Sequence, residues 1–176
     1  MVRQTSKAQQ IAICYGSSTC YTEMVAEKIQ QMLGESRVDL IDIKDADLAS
    51  LQQYDFIIFG IPTWDYGELQ EDWDDRWEEL DEIDFSGFAC AIYGLGDQEG
   101  YPEWFQDAVG YLYHKLKSLG ADLRGHWPNQ GYEFEDSKAL TEDGSQFVGL
   151  ALDDENQPEL TDDRLTRWLQ ALGLPG

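Results

Sequence analysis

Positive charge is scarce in this sequence: 12 Lys and Arg stand against 35 Asp and Glu, a formal charge of -23 over 176 residues. Such a field repels nucleic-acid backbones and anionic lipid surfaces, so neither is expected as a ligand, and basic protein partners are favoured instead. Histidine is nearly missing. His114 and His126 stand alone, outside any Cys/His/carboxylate spacing that would cage a metal, and read as surface or packing residues. Cysteine is confined to Cys14, Cys20 and Cys90. Three cannot all pair within one chain, and two of them sit in the apolar runs IAICY and FACAIY, where small buried residues belong. No disulfide framework is expected. Cys20 falls in a polar loop, as either a reactive thiol or simply a small loop residue. Long hydrophobic stretches are absent too: no run of about 18 apolar residues occurs, and MVRQTSKAQQ lacks the charged-then-apolar order of a secretory signal. The expectation is a cytoplasmic protein with residues 1–9 as a polar extension and residues 10–176 as a single domain. The length supports one buried core but not two ordinary domains.

What is present is an alternation of short apolar runs with helical patterns. Ile11 to Tyr15, Val38 to Ile43, Phe56 to Ile61 and Phe88 to Tyr93 read as strands buried on both faces, with weaker strands near Asp122 to His126 and Phe147 to Leu152. Val25, Ile29, Met32 and Leu33 follow helical spacing, and Gly34 is placed to end that helix. Phe105, Ala108, Val109, Leu112 and Leu116 form a second stripe, closed by Gly120. Near the C-terminus, Thr161 is a candidate N-cap before Asp162 and Asp163, with Leu165, Trp168, Leu169 and Leu172 facing inward. Strands alternating with helices imply right-handed βαβ units and a three-layer α/β/α domain around a parallel sheet. The stretch from Trp127 to Ser145 has Gly, Pro and polar residues without period. It is expected to be an excursion between two halves of the last strand.

In an open parallel sheet, ligands gather beyond the C-terminal ends of the strands, where the strand order reverses. Three loops occupy such positions. Gly16-Ser17-Ser18-Thr19-Cys20-Tyr21-Thr22-Glu23 is a hydroxyl-rich turn leading into a helix. It contains no Lys or Arg, yet amides at a helix start, the helix dipole and hydroxyl donors together hold a phosphate monoester. It matches neither the Walker pattern nor Gly-x-Gly-x-x-Gly, and it lacks the arginine of tyrosine phosphatases; simple helix capping is the bland alternative. The second loop runs Ile61-Pro62-Thr63-Trp64-Asp65-Tyr66-Gly67-Glu68 and the third Gly94-Leu95-Gly96-Asp97-Gln98-Glu99-Gly100-Tyr101. Each presents one large aromatic, Trp64 or Tyr101, away from regular core positions. Two rings on neighbouring loops suit a planar heterocycle held between them. Either ring taken singly could equally pack on its own loop.

The segments GSSTCYTE, IPTWDYGELQEDW and YGLGDQEGY, in this order and at these strand ends, resemble the phosphate loop and the two isoalloxazine loops of bacterial flavodoxins. That family itself illustrates the crevice rule just used. The resemblance spans Gln10 to Leu172. The excursion after His126, continuing into FVGLALDDENQ, resembles the long-chain subgroup, and Cys20-Tyr21 in place of the commoner Gly-Asn is similar to the second flavodoxin carried by some proteobacteria. The resemblance implies a flavodoxin-like doubly wound sheet of five parallel strands in the order 2-1-3-4-5, the last interrupted by the long-chain insertion. It implies non-covalent flavin mononucleotide (FMN), with Ser17, Ser18, Thr19, Cys20, Tyr21 and Thr22 on its phosphate and Trp64 and Tyr101 on the two ring faces. Backbone groups of Asp65, Tyr66, Leu95, Gly96 and Asp97 would address the ring edge, with Pro62, Thr63 and Gly67 shaping the loop and Asp153 near the ribityl chain.

The resemblance further implies a low-potential, one-electron carrier rather than an enzyme, cycling FMN between quinone, semiquinone and hydroquinone. Its partners would be basic-surfaced proteins such as a flavodoxin/ferredoxin-NADP reductase and flavodoxin-dependent acceptor enzymes, and it would act as a monomer. An FMN-dependent quinone or nitro reductase is the first alternative, opposed by aromatics on both ring faces, which leave no face for a hydride donor. A flavin-free interaction domain is the second. A receiver-type signalling domain would want acidic residues after the first strand, where this chain has Gly16-Ser17-Ser18. From Asp65 to Asp84 the sequence carries eleven acidic residues and one base, Arg76. This is either a solvated helix face or a docking surface beside the site, and its position favours docking.

Overall fold

The structure is a computed structural model that describes residues 9–174. Of the expected extension over residues 1–9, residues 1–8 lie outside the described residues. In chain order the elements are β1 (Ile11–Tyr15), α1 (Tyr21–Leu33), β2 (Val38–Asp42), β3 (Phe56–Trp64), β4 (Glu68–Leu69), α2 (Glu71–Arg76), β5 (Ala89–Leu95), α3 (Asp107–Ser118), β6 (Asp122–Arg124), β7 (Trp127–Pro128), β8 (Gln146–Phe147), β9 (Leu150–Leu152) and α4 (Thr161–Ala171).

Parallel pairing runs β2-β1-β3-β5, and the outermost position is filled twice. β6 pairs with Ala89–Ala91 of β5, and β9 pairs with Tyr93–Leu95 of the same strand. This is the expected five-position order with its last strand interrupted. The excursion leaves after β6 and returns through the antiparallel pair β7–β8, with Leu140 bridging Phe147.

Strand alternation decides which helix covers which face. On β3, Phe59 lies 6.1 Å from the ring of Trp73 in α2, and Thr63 accepts a hydrogen bond from the Ala108 amide of α3 at 3.0 Å. Those odd-numbered residues therefore face α2 and α3. Gly60 faces the other way, where a Cβ would sit 2.2 Å from the Tyr93 hydroxyl; that hydroxyl donates to the Thr22 carbonyl of α1 at 2.8 Å. Ion pairs agree with this division: Lys28 of α1 meets Asp162 of α4 at 2.7 Å, while Lys115 of α3 meets Asp81, after α2, at 3.0 Å. Between the layers Ile11, Ile13, Phe56, Phe59, Ile92 and Leu150 are buried, each worth about 1.5–3 kcal/mol of transfer free energy.

Several local expectations change. β3 runs on to Trp64 because β4 folds back antiparallel on Thr63 and Trp64, and β5 runs on to Leu95 because β9 pairs with it. Phe105 precedes α3 rather than lying on it, since Gln106 at φ 63 interrupts the helical path; its ring instead packs 5.1 Å from Phe134 of the excursion. Thr161 is the first residue of α4 and not its cap. Residues Pro158–Leu160 already wind as a 3-10 turn into the helix, and the Thr161 hydroxyl donates to Asp154. Gly34 does end α1, at φ 103. Cys14, Cys20 and Cys90 are free thiols, and burial pushes Cys14 and Cys90 up to about 12, so neither ionises near neutrality.

Candidate functional site

β1, β3 and β5 end on the same side of the sheet, and a cavity of about 260 Å³ opens beyond them. From the first loop it is lined by Thr19, Tyr21 and Thr22, from the second by Pro62, Thr63, Trp64 and Asp65, and from the third by Leu95, Gly96, Asp97 and Tyr101. Asp154 and Glu155, after β9, complete the wall. No residue of this lining is Lys or Arg, so neutralisation of a bound anion falls to amides and hydroxyls.

The first loop offers donors of this kind. α1 begins after Cys20, which sits at φ 69, and no side chain caps the helix. The opening amides of a helix have no acceptor within it. Ser17 contributes a buried hydroxyl without a partner, whereas Ser18 accepts from the Gln70 side chain at 2.9 Å. Thr22 is buried; Cys20 and Tyr21 are exposed. Ser17, Ser18 and Cys20 are in the loop but outside the cavity lining.

Trp64 and Tyr101 remain 36% and 37% exposed and line the same cavity from different loops. Their surroundings differ. Tyr66 points to solvent and packs edge-on against Trp104 at 5.0 Å and Tyr101 at 6.5 Å, so it buttresses the second ring from outside. Asp65 adopts φ 42 and Gly67 φ 84, a tight turn that Gly67 enters without steric cost. Asp97 shapes the third loop, its carboxylate accepting from the Gly100 amide at 2.7 Å and from the Asn156 side chain at 2.8 Å.

Asp153 lies apart from the cavity. It is fully buried, and its carboxylate accepts from the amides of Gln98, Glu155 and Asn156 and from the side chains of Gln98 and Asn156. It is the internal knot of the β9 turn, and the neighbouring Asp154 and Glu155 are the residues turned to the opening. Sequence reasoning missed both, and DDEN carries no signal that separates the inward from the outward carboxylate. Tyr66 and Gly67 also lie outside the lining, behind the Asp65 turn. The rings of His114, which is exposed, and His126, which is half-buried, stand 5.3 and 5.6 Å from Tyr113. Among the described residues no group of His, Cys, Asp and Glu is arranged to hold a metal, and no helix is long and apolar enough to cross a membrane.

Comparison with known proteins agrees with this geometry. The flavodoxin family profile matches residues 13–168. Flavodoxin 2 of Salmonella typhi is 51% identical over 162 residues, 92% of this chain and 94% of that protein. The flavodoxin of Synechococcus elongatus is 48% identical over 163 residues, 92% of this chain and 95% of that protein. Among solved structures, Fusobacterium nucleatum flavodoxin bound to flavin mononucleotide superposes with a TM-score of 0.88 at 29% identity, covering 94% of this chain and 98% of that one. By fold and by sequence, the chain belongs to the flavodoxin family.

Proposed function

We propose that this protein is a single-domain, monomeric carrier that binds FMN without a covalent bond and passes electrons one at a time between protein partners in the cytoplasm. The observation that carries the proposal is that two partly exposed aromatics, Trp64 and Tyr101, line one cavity together with Thr19, Tyr21 and Thr22 at the start of a helix that no side chain caps. Such a site fits a planar ring and a terminal phosphate at once. Ser17 through Thr22 hold the phosphate, Trp64 and Tyr101 cover the ring faces, and backbone groups of Asp65, Tyr66, Leu95, Gly96 and Asp97 meet the ring edge. Pro62, Thr63 and Gly67 set the path of the second loop. Bound FMN supplies reversible one-electron chemistry. The chain's part is to position it, exclude water from its faces and surround it with carboxylates that disfavour added negative charge. Donors and acceptors are basic-surfaced redox proteins, a flavodoxin/ferredoxin-NADP reductase and flavodoxin-dependent enzymes by class.

Two measurements test this. FMN should bind far more tightly than riboflavin, and Thr19→Ala with Thr22→Ala should erase much of the difference. Each hydroxyl bond to a charged group is worth about 1.5–3 kcal/mol, so the double change should weaken FMN by about 100-fold or more. Equal losses for both ligands contradict the phosphate assignment. Stepwise photoreduction should pass through a distinct long-wavelength absorbing stage; a direct two-electron bleach would favour a reductase.

A further inference from the structure

The excursion after His126 bonds directly to the Tyr101 loop and reaches the Trp64 loop through one intermediary. The Glu133 amide donates to the Gln98 side chain at 2.7 Å, and the amides of Glu135 and Asp136 donate to the Pro102 carbonyl, next to Tyr101, at 2.8 and 3.0 Å. Toward the Trp64 loop the link is indirect and runs through Asp107, a buried carboxylate that the proposed electron transfer does not use. Its Oδ1 accepts from the Lys138 amide at 2.8 Å, and its Oδ2 meets the Lys138 ammonium at 3.4 Å. The same Oδ2 lies against Gly67, where a Cβ would sit 2.7 Å away. Close contact is possible there only because residue 67 has no side chain. The excursion backbone is equally close to α3, since a Cβ on Gly110 would meet the Lys138 carbonyl at 2.2 Å.

We infer that the excursion braces the two aromatic loops, and that Asp107 and Lys138 form a positioning pair that fixes the Asp65–Gly67 turn against the flavin edge. Burying a charge is costly unless it is paired and hydrogen-bonded, and for Asp107, 1% exposed, the Lys138 amide and ammonium offset part of that cost. With Lys138 anchored on α3 through Gly110, the carboxylate cannot withdraw from Gly67, and the turn has one preferred path. The inference rests on the proposed function in one respect, that this turn faces bound FMN.

The test uses the full chain with Lys138→Met, which keeps the apolar stem, alongside Asp107→Asn and Lys138→Arg. In the flavin-free protein, amide hydrogen exchange over residues 63–68 should accelerate about fivefold or more in the first two variants, equivalent to a local loss near 1 kcal/mol, with α1 unchanged and Lys138→Arg near wild type. In the FMN-loaded protein the equilibrium constant of the first one-electron step should move by about threefold or more, or roughly 28 mV. Discrimination between FMN and riboflavin, set by the Ser17–Thr22 loop, which neither Asp107 nor Lys138 belongs to, should stay put. Exchange at wild-type rates in both variants overturns the inference. So does a one-electron constant that holds while only the melting temperature falls. If wild-type protein fails to bind FMN, the proposed function falls, and the exchange rates alone decide whether the pair holds the turn.

Discussion

At the scale of single residues, the least tolerant positions are those where backbone and side chain nearly touch. Gly60 is one: an added methyl would meet the Tyr93 hydroxyl at 2.2 Å and its ring at 2.3 Å, and Tyr93 is pinned by its bond to the Thr22 carbonyl. Gly60→Ala should therefore cost about 1–3 kcal/mol in urea denaturation and also weaken FMN, because Thr22 moves with Tyr93. Two carboxylates are shifted in opposite directions. Asp143, at the tip of the excursion, is held down at about 2 by the amide and hydroxyl of Ser145 and the hydroxyl of Thr141. Its contribution to stability is present above the ordinary value of 3.8 and is lost as pH falls through about 2. Asp143→Asn should lower the melting temperature at neutral pH, with the gap to wild type closing in strong acid. Asp107 is pushed up by burial, against the Lys138 amide and cation. Its stabilisation is present below the ordinary value and fades as pH rises through the raised one.

Elements show what was legible in the sequence. β1 came out with its expected bounds because a strand buried on both faces is an uninterrupted apolar run with polar ends. β3 and β5 outran their apolar cores because their last residues are held by partner strands, β4 folding straight back after the Asp65–Gly67 turn and β9 returning from far along the chain; the hydrophobic pattern announces neither. The three site loops were legible for the same topological reason that places ligands at strand ends. The fourth wall, Asp154 and Glu155, was not, since only the return of β9 to the upper half of the outer position brings it there. Thr161 looked like a cap because cap chemistry is local, but Asp154 draws its hydroxyl into a longer-range bond. At this scale the packing of the excursion on α3 makes its own prediction. Gly110→Ala drives a methyl into the Lys138 carbonyl and should lower the midpoint of thermal unfolding, with increased proteolytic nicking between residues 133 and 140. Nicking unchanged from wild type would mean that α3 absorbs the methyl by shifting itself.

For the whole molecule, the charge of -23 acts on folding and on association with opposite signs. Of the eleven acidic residues between Asp65 and Asp84, all but the half-buried Asp72 are exposed. Arg76, the base among them, is occupied by the carbonyls of Ile43, Lys44 and Ala46 and by Glu79. Added salt shortens the Debye length from about 30 Å at 0.01 M to about 8 Å at 0.15 M. It should raise the melting temperature by relieving self-repulsion while slowing electron transfer from a basic reductase in stopped-flow; a rate independent of salt would remove the steering role. The doubly filled outer position of the sheet also imposes an order of assembly on a chain emerging from the ribosome. β6 can dock as soon as α3 has formed, but Tyr93–Leu95 keep an unpaired edge until Leu150–Leu152 arrive, and the Gly96 amide waits for the Leu152 carbonyl. The third loop of the cavity is thus the last to be secured. A nascent chain stalled before Gln146 would expose an open strand edge of the kind that pairs with other chains, so the stretch from Gln146 to Glu155 serves as much to close the sheet against misassembly as to complete the cavity wall.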